Sequence, residues 1–198
     1  MKHRAVTDAG RKVRGAAAAS VERYFVTRDY ALAVVAHSPI GAEVMALAGQ
    51  REVIVAVETR RGGRPTREVA RPGKSPFTGR LIVLVDSRSA SAAEMFARIV
   101  QIEARGTVVG DRTAGAVMRS HLFPHQADVP SAVYATSVTV ADVRMSDGGS
   151  LERIGVEPDE IVLPRPSDLA AGRDPVLAHA IALAGGTITP EDAGRLFK

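Results

Sequence analysis

Residues 81–97, LIVLVDSRSASAAEMFA, leave this chain little freedom in how it folds. The unbroken apolar run of Leu81, Ile82, Val83, Leu84 and Val85 reads as a fully buried strand of a parallel sheet. A short polar turn follows. Residues 92–105 then read as a helix, with Met95, Ile99 and Ile102 at helical spacing and Arg98, Gln101 and Arg105 pointing elsewhere. Gly106 is expected to close that helix. Ser91 therefore sits where a buried strand hands over to a helix N-terminus. Backbone N–H groups without an intrahelical partner converge there and can hold a developing negative charge. That makes Ser91 a candidate nucleophile. The same residues, Ser91, Ala92, Ala93 and Glu94, also spell the capping box S-x-x-E, which by itself requires only a helix start.

Two later segments change the balance. Residues 107–115, TVVGDRTAG, read as a second buried strand running into a Gly-rich loop, and residues 150–159 read SLERIGVEPD. In this order and at this spacing the three blocks resemble the tail-specific (carboxy-terminal processing) serine peptidase family. Its strand-S-x-S-A-S/A-E helix start, its G-E/D-x-T-x-G loop and its E-x-x-G-V-x-P-D segment are all present. The match spans about residues 79–159, with an extension to 177, while residues 1–78 match weakly. The resemblance implies a single catalytic domain over 1–198, forming the C-terminal portion of such an enzyme, with an α/β fold of the ClpP/crotonase-like type built from repeated β-β-α units. It also implies that Ser91 is the nucleophile and that the amide of Ala92 is one oxyanion donor.

Departures from the family pattern narrow the mechanism. One branch uses a Ser–Lys dyad whose lysine directly follows the glycine of T-x-G; here that position is Ala116. The branch resembling the tricorn core and the interphotoreceptor retinoid-binding protein instead uses an upstream histidine and a glutamate near G-V-x-P-D. Glu152 matches that glutamate. The upstream histidine needs more chain than the 90 residues before Ser91, so the resemblance implies an N-terminally truncated domain and leaves the base unfilled. Val13, Arg14 and Gly15 compare with the family's D-x-R-G oxyanion loop, but alanines follow where Asn and glycines belong; an Ala-rich helix start explains them equally well.

His121 and His125 are the remaining candidates for the base, against a structural or substrate-lining role. Their i,i+4 spacing suits a helical metal site only if the segment is a helix, and Pro124 between them argues for a turn at 124–126 instead. No cofactor or metal is expected. His179 falls on a capped helix over 174–184 and reads as structural.

Elsewhere the expectations are a helix over 20–24, strands over 30–36 and 52–58, a turn at 60–65 and a surface loop over 67–79. Residues 41–48 are ambiguous. Residues 132–141 alternate as one strand, 147–149 turn, 161–163 form a short strand, and Thr189 starts a last short helix. With no cysteine, disulfides and thiolate metal sites are excluded. The net charge of +4 comes from dispersed arginines, and aromatics make up only 4%, which disfavours a nucleic-acid partner. The run Arg60, Arg61, Arg64, Arg67 and Arg71 reads as a solvated face. No apolar run is long enough to span a membrane and residues 1–20 carry no secretory signal, although relatives are often exported, so the compartment is open.

The expected partner is a protein or peptide substrate, with homo-oligomers common among relatives. Three function classes follow: a serine peptidase cleaving near a C-terminus through Ser91, a fragment of a longer peptidase, or a non-catalytic module binding peptides or hydrophobic ligands on the same fold.

Overall fold

The computed structural model describes residues 23–26, 30–34, 51–72, 79–126 and 133–196. Two sheets face each other across one helix. The first has the order β1 (Arg23–Val26), β2 (Tyr30–Val34), β5 (Arg80–Val85), β6 (Gly106–Gly110), β9 (Glu160–Ile161). β2, β5, β6 and β9 run parallel, and β1 pairs antiparallel with β2. The second sheet has the order β4 (Thr66–Ala70), β3 (Val53–Arg60), β8 (Val133–Met145), β7 (Arg119–Gln126), antiparallel throughout. Helix α1 (Ala92–Ile102) follows β5; α2 (Pro166–Ala171), α3 (Pro175–Leu183) and α4 (Pro190–Ala193) close the chain.

The apolar run is buried on both faces, as its composition demands. Leu81, Val83 and Val85 point into a core shared with Phe96 and Ile99 of α1 and with Val55, Val143 and Met145 of the second sheet. Ile82 and Leu84 point the other way, into a second core with Val109, Leu177 and Ile181. Five side chains so buried contribute on the order of 10 kcal/mol of transfer free energy before entropy is counted. The C-terminal ends of β5 and β6 lie side by side, Val85 opposite Gly110. Ser91 and the 111–116 loop therefore leave the sheet at the same edge.

Several local expectations are corrected. The start of β1 occupies Arg23 and Tyr24, where a helix was expected; the R-Y-F-V stretch has β propensity and finds β2 as a partner. β4 replaces part of the expected loop over 67–79. Its charges, Arg67 and Glu68, suit an edge strand and hide the pattern. Residues 124–126 continue β7 rather than turning, because a proline is tolerated on an edge strand. β8 runs on to Met145, its last residues pairing with β3. β9 is shorter than expected, and α2 had no forecast at all.

Helix α1 ends earlier than predicted, and Gly106 does not close it. Ala104 takes the left-handed position at φ 47°. Ala104 N–H donates to Gln101 O, and Arg105 N–H donates to Val100 O, which together make a Schellman motif. Gly106 is needed instead for strand pairing, because a Cβ there would lie 2.4 Å from Leu81 O. The caps of α3 and α4 are as expected: Asp174 accepts from Leu177 N–H and Thr189 from Asp192 N–H. The expectations over 1–22, 35–50 and 127–132, the Val13–Gly15 comparison among them, lie outside the described residues. Among the described residues no helix is long and apolar enough to cross a membrane.

Candidate active site

The turn after β5 is built on Asp86. Its Oδ1 accepts from the N–H of Arg88 (2.9 Å) and of Ser89 (3.0 Å) and from Ser89 Oγ (3.2 Å). Ser89 Oγ in turn accepts from Asp86 N–H at 3.1 Å, and Ser89 is almost fully buried. This knot fixes the chain as it leaves the sheet and lifts Ser91 to the surface. Ser91 adopts φ 59°, ψ −121°, a conformation that a non-glycine residue holds only under strain of about 1–3 kcal/mol. Strained strand-to-helix turns of this kind expose a serine hydroxyl beside the first amides of a helix.

Glu94 carries that strain. Its carboxylate is completely buried, yet four donors meet it. Oε1 accepts from Thr113 Oγ1 (2.5 Å) and Gly115 N–H (2.7 Å), while Oε2 accepts from Ala116 N–H (2.9 Å) and Ser91 N–H (3.0 Å). A carboxylate is all acceptor, so this set is complete and locks the helix start onto the 113–116 loop. Ser91 N–H also donates to Ala116 O at 3.0 Å. The Ser91 amide is thus occupied. Among the described residues no acceptor is paired with the Ala92 N–H, which opens the helix beside it. Sequence reasoning sees Glu94 only as the far end of a capping box. The signal for more was a carboxylate set between Ala93 and the apolar pair Met95 and Phe96, on a face that had to be buried.

The third block packs onto the second with no space between backbones. Thr113 N–H donates to Val156 O (3.1 Å), and Val156 N–H donates to Thr113 Oγ1 (2.6 Å). Arg153 N–H donates to Gly115 O at 2.7 Å. Gly155 sits at φ 74°, and a Cβ on it would lie 2.5 Å from Thr113 O; one on Gly115, at φ 71°, would lie 2.9 Å from Ile154 N. Both motif glycines are required by this contact. Asp159, the last residue of the block, accepts from Val108 N–H and Gln101 Nε2, so it pins β6 and α1 rather than doing chemistry.

Glu152 is half-buried, and its Oε2 accepts from the N–H groups of Val117 (2.9 Å) and Met118 (3.1 Å). Ser91 and Glu152 thus hold opposite sides of one peptide unit, Ala116 C=O and Val117 N–H. Ser91 N and Glu152 Oε2 are then no more than about 8 Å apart. The structure brings Ser91, Ala92 and Glu152 together. It does not pair either candidate histidine with them. His121 lies edge-on to Phe123, and His125 stacks on Tyr134 while its Nε2 meets Thr136 Oγ1 at 3.1 Å, all exposed on the β7–β8 hairpin. His179 pairs with Glu160 at 2.5 Å. Lys2, Lys12, Lys74 and Lys198 lie outside the described residues, and Ala116 fills the position after T-x-G. Among the described residues no three acidic or histidine side chains gather as a metal site.

Residues 40–162 match the model of peptidase family S41. The chain is 34% identical over 131 residues to tricorn protease homolog 1 of Streptomyces coelicolor, covering 66% of this chain and 12% of that protein. It is 29% identical over 144 residues to a carboxyl-terminal-processing protease of Picosynechococcus, covering 72% of this chain and 33% of that one. It thus spans a third or less of the length of these relatives. The crystal structure of the tricorn protease superposes with a TM-score of 0.57 at 18% identity, over 78% of this chain and 15% of that chain. That likeness is one of fold, the ClpP-like α/β class expected from the sequence.

Proposed function

This chain belongs to peptidase family S41, and on that premise we propose that Ser91 is the nucleophile of a serine peptidase acting on proteins or peptides near their C-terminus. The observation that carries the proposal is the conformation of Ser91: a strained, exposed serine at a helix start, beside an Ala92 N–H that no acceptor among the described residues engages. In this mechanism Ser91 Oγ attacks the scissile carbonyl carbon as its proton passes to a base. The oxyanion is held by the Ala92 N–H at the positive end of α1. Collapse expels the amine, which takes the proton back from the base, and water then cleaves the acyl-enzyme by the same steps.

Glu152 is assigned to orient that base. Its Oε2 is tied to two backbone amides of the segment whose Ala116 carbonyl accepts from Ser91 N–H, which keeps the carboxylate near Ser91 along the 113–118 chain. This favours the histidine branch over the Ser–Lys branch, with Ala116 in place of the lysine. His121 and His125 make their contacts on the β7–β8 hairpin, so the base is assigned to chain outside the described residues, and the catalytic unit to a longer or assembled form of the domain. A homo-oligomer is part of this reading.

A non-catalytic peptide-binding or hydrophobic-ligand-binding module is the second reading, favoured by the lack of any histidine paired with Ser91 or Glu152 among the described residues. Labelling by a fluorophosphonate probe, read by intact mass on the wild type and on Ser91→Ala, separates the two. Labelling confined to the wild type is the expected result. A folded wild type that takes up no label refutes self-sufficient catalysis by this chain and leaves the fragment of a longer peptidase or the binding module.

A further inference from the structure

From the turn that carries Glu152 we infer that Arg153 is a specificity-determining residue. It selects peptides that present a carboxylate within about three residues of the bond held at Ser91. This role rests on Ser91 being the centre of a peptide site, as proposed, and not on the chain's being complete for catalysis.

Residues 151–155 form a tight turn in which Ile154 N–H (3.0 Å) and Gly155 N–H (2.8 Å) both donate to Leu151 O. Arg153 sits inside that turn at φ 61°. A turn position with positive φ favours glycine or asparagine, because a larger side chain crowds the neighbouring carbonyl. Two other described non-glycine residues have positive φ: Ser91, the proposed nucleophile, and Ala104, which ends α1. A long cationic side chain kept at such a place against its conformational cost points to a use for that side chain.

The turn is zipped to the loop that also holds Ser91. Arg153 N–H donates to Gly115 O at 2.7 Å and Ser91 N–H to the next carbonyl, Ala116 O, at 3.0 Å. The two nitrogens are therefore within about 11 Å of each other, and an arginine side chain reaches roughly 7 Å from its Cα. An extended peptide advances about 3.3–3.6 Å per residue, which puts the guanidinium within reach of its first few residues on one side of the reacting carbonyl.

Charge supplies the chemistry. The other arginines around the motif blocks hold carboxylates: Arg88 with Asp86, Arg98 with Asp147, Arg112 with Glu157, and Arg119 with Glu58 and Glu68. Arg153 is exposed, and its side chain has no hydrogen bond or ion pair among the described residues. The neighbouring carboxylate, Glu152, is turned to the Val117 and Met118 amides instead. The N–H donors of Arg153 are thus open to a ligand, and their planar fork matches the two oxygens of a carboxylate. A basic peptide meets like charge there, in a chain whose net charge is already +4.

Fluorescence anisotropy of rhodamine-labelled hexaalanine peptides on the whole chain is the test. The probes are the C-terminal acid, the C-terminal amide, and the amide carrying one glutamate third from its end. Ser91→Ala, measured alongside the wild type, removes turnover. Both proteins are expected to bind at least one carboxylate probe about five- to tenfold more tightly than the neutral amide at low salt. The probe preferred tells a terminal carboxylate from an acidic side chain. Arg153→Gln should abolish the preference and leave the neutral probe unchanged, while Arg153→Lys, a point charge without the fork, should keep part of it. Arg153→Gly should melt no lower than the wild type, because glycine takes φ 61° without strain. Equal binding of the three probes by the wild type, or binding of none, overturns the inference. So does an Arg153→Gln protein that loses all three alike, or a lower-melting Arg153→Gly protein, since either makes the residue structural. Fluorophosphonate labelling keeps the two claims apart: labelling of Ser91 without a carboxylate preference refutes only the role of Arg153, and a preference without labelling refutes only the nucleophile.

Discussion

Replacing Glu94 by glutamine tests the architecture of the site most directly. The side chain keeps its size and its helix position but loses one acceptor oxygen to an NH2 group. Glu94 receives four donors, from Ser91, Thr113, Gly115 and Ala116. In either amide orientation two of them face a donor. If the amide nitrogen replaces Oε1, the Gly115 N–H and the Thr113 hydroxyl are stranded; if it replaces Oε2, the Ala116 and Ser91 N–H groups are. Ser91 keeps Ala116 O as a second acceptor, so the second orientation is the less costly. Stranding a buried donor costs about 1–3 kcal/mol, which sets the expected loss near 2–4 kcal/mol. For a chain of this length that corresponds to a fall in melting temperature of roughly 5–15 °C. Glu94→Ala, which strands more donors and leaves a cavity, should cost more. Urea unfolding gives the free energies, and fluorophosphonate labelling of the still-folded fraction reports whether Ser91 keeps its strained conformation. A glutamine variant within about 0.5 kcal/mol of the wild type would refute the claim that this carboxylate organises the site.

Two further substitutions follow from the backbone. Gly155→Ala puts a Cβ 2.5 Å from Thr113 O at φ 74°, so the 150–159 segment must separate from the 113–116 loop. A loss of about 2 kcal/mol or more is expected, measured by urea unfolding, together with weaker labelling of Ser91. Ala104→Gly should instead stabilise by about 0.5–1 kcal/mol, because glycine takes the left-handed C′ position of α1 without strain. A destabilised Ala104→Gly protein in thermal unfolding would contradict that account of the helix end.

The motif blocks are legible in sequence because each is local. The run 81–85 forces a doubly covered strand, Ser91 and Glu94 mark a helix start, and T-x-G and G-V-x-P-D carry glycines whose backbones need room. The edge strands were harder to see. β4 and β7 are defined by pairing with β3 and β8, and charged residues or a proline on an edge conceal the strand pattern. The early end of α1 was missed because Ala104 does what glycine usually does, while Gly106 serves the neighbouring strand.

Sequence alone determined the order of the three blocks, the position of Ser91 between strand and helix, the absence of a lysine after T-x-G and the double burial of β5. These are properties of neighbouring residues, and neighbours set local conformation and burial period. Tertiary structure decided the rest. A chain read residue by residue does not show that one buried carboxylate gathers donors from residues 91, 113, 115 and 116. Nor does it show that Ser91 and Glu152 grip the two sides of one peptide unit, or that His121 and His125 are exposed on β7 with their contacts to Phe123, Tyr134 and Thr136. Those facts depend on which distant backbones come within hydrogen-bonding distance, and only the packing of two sheets around α1 brings them there.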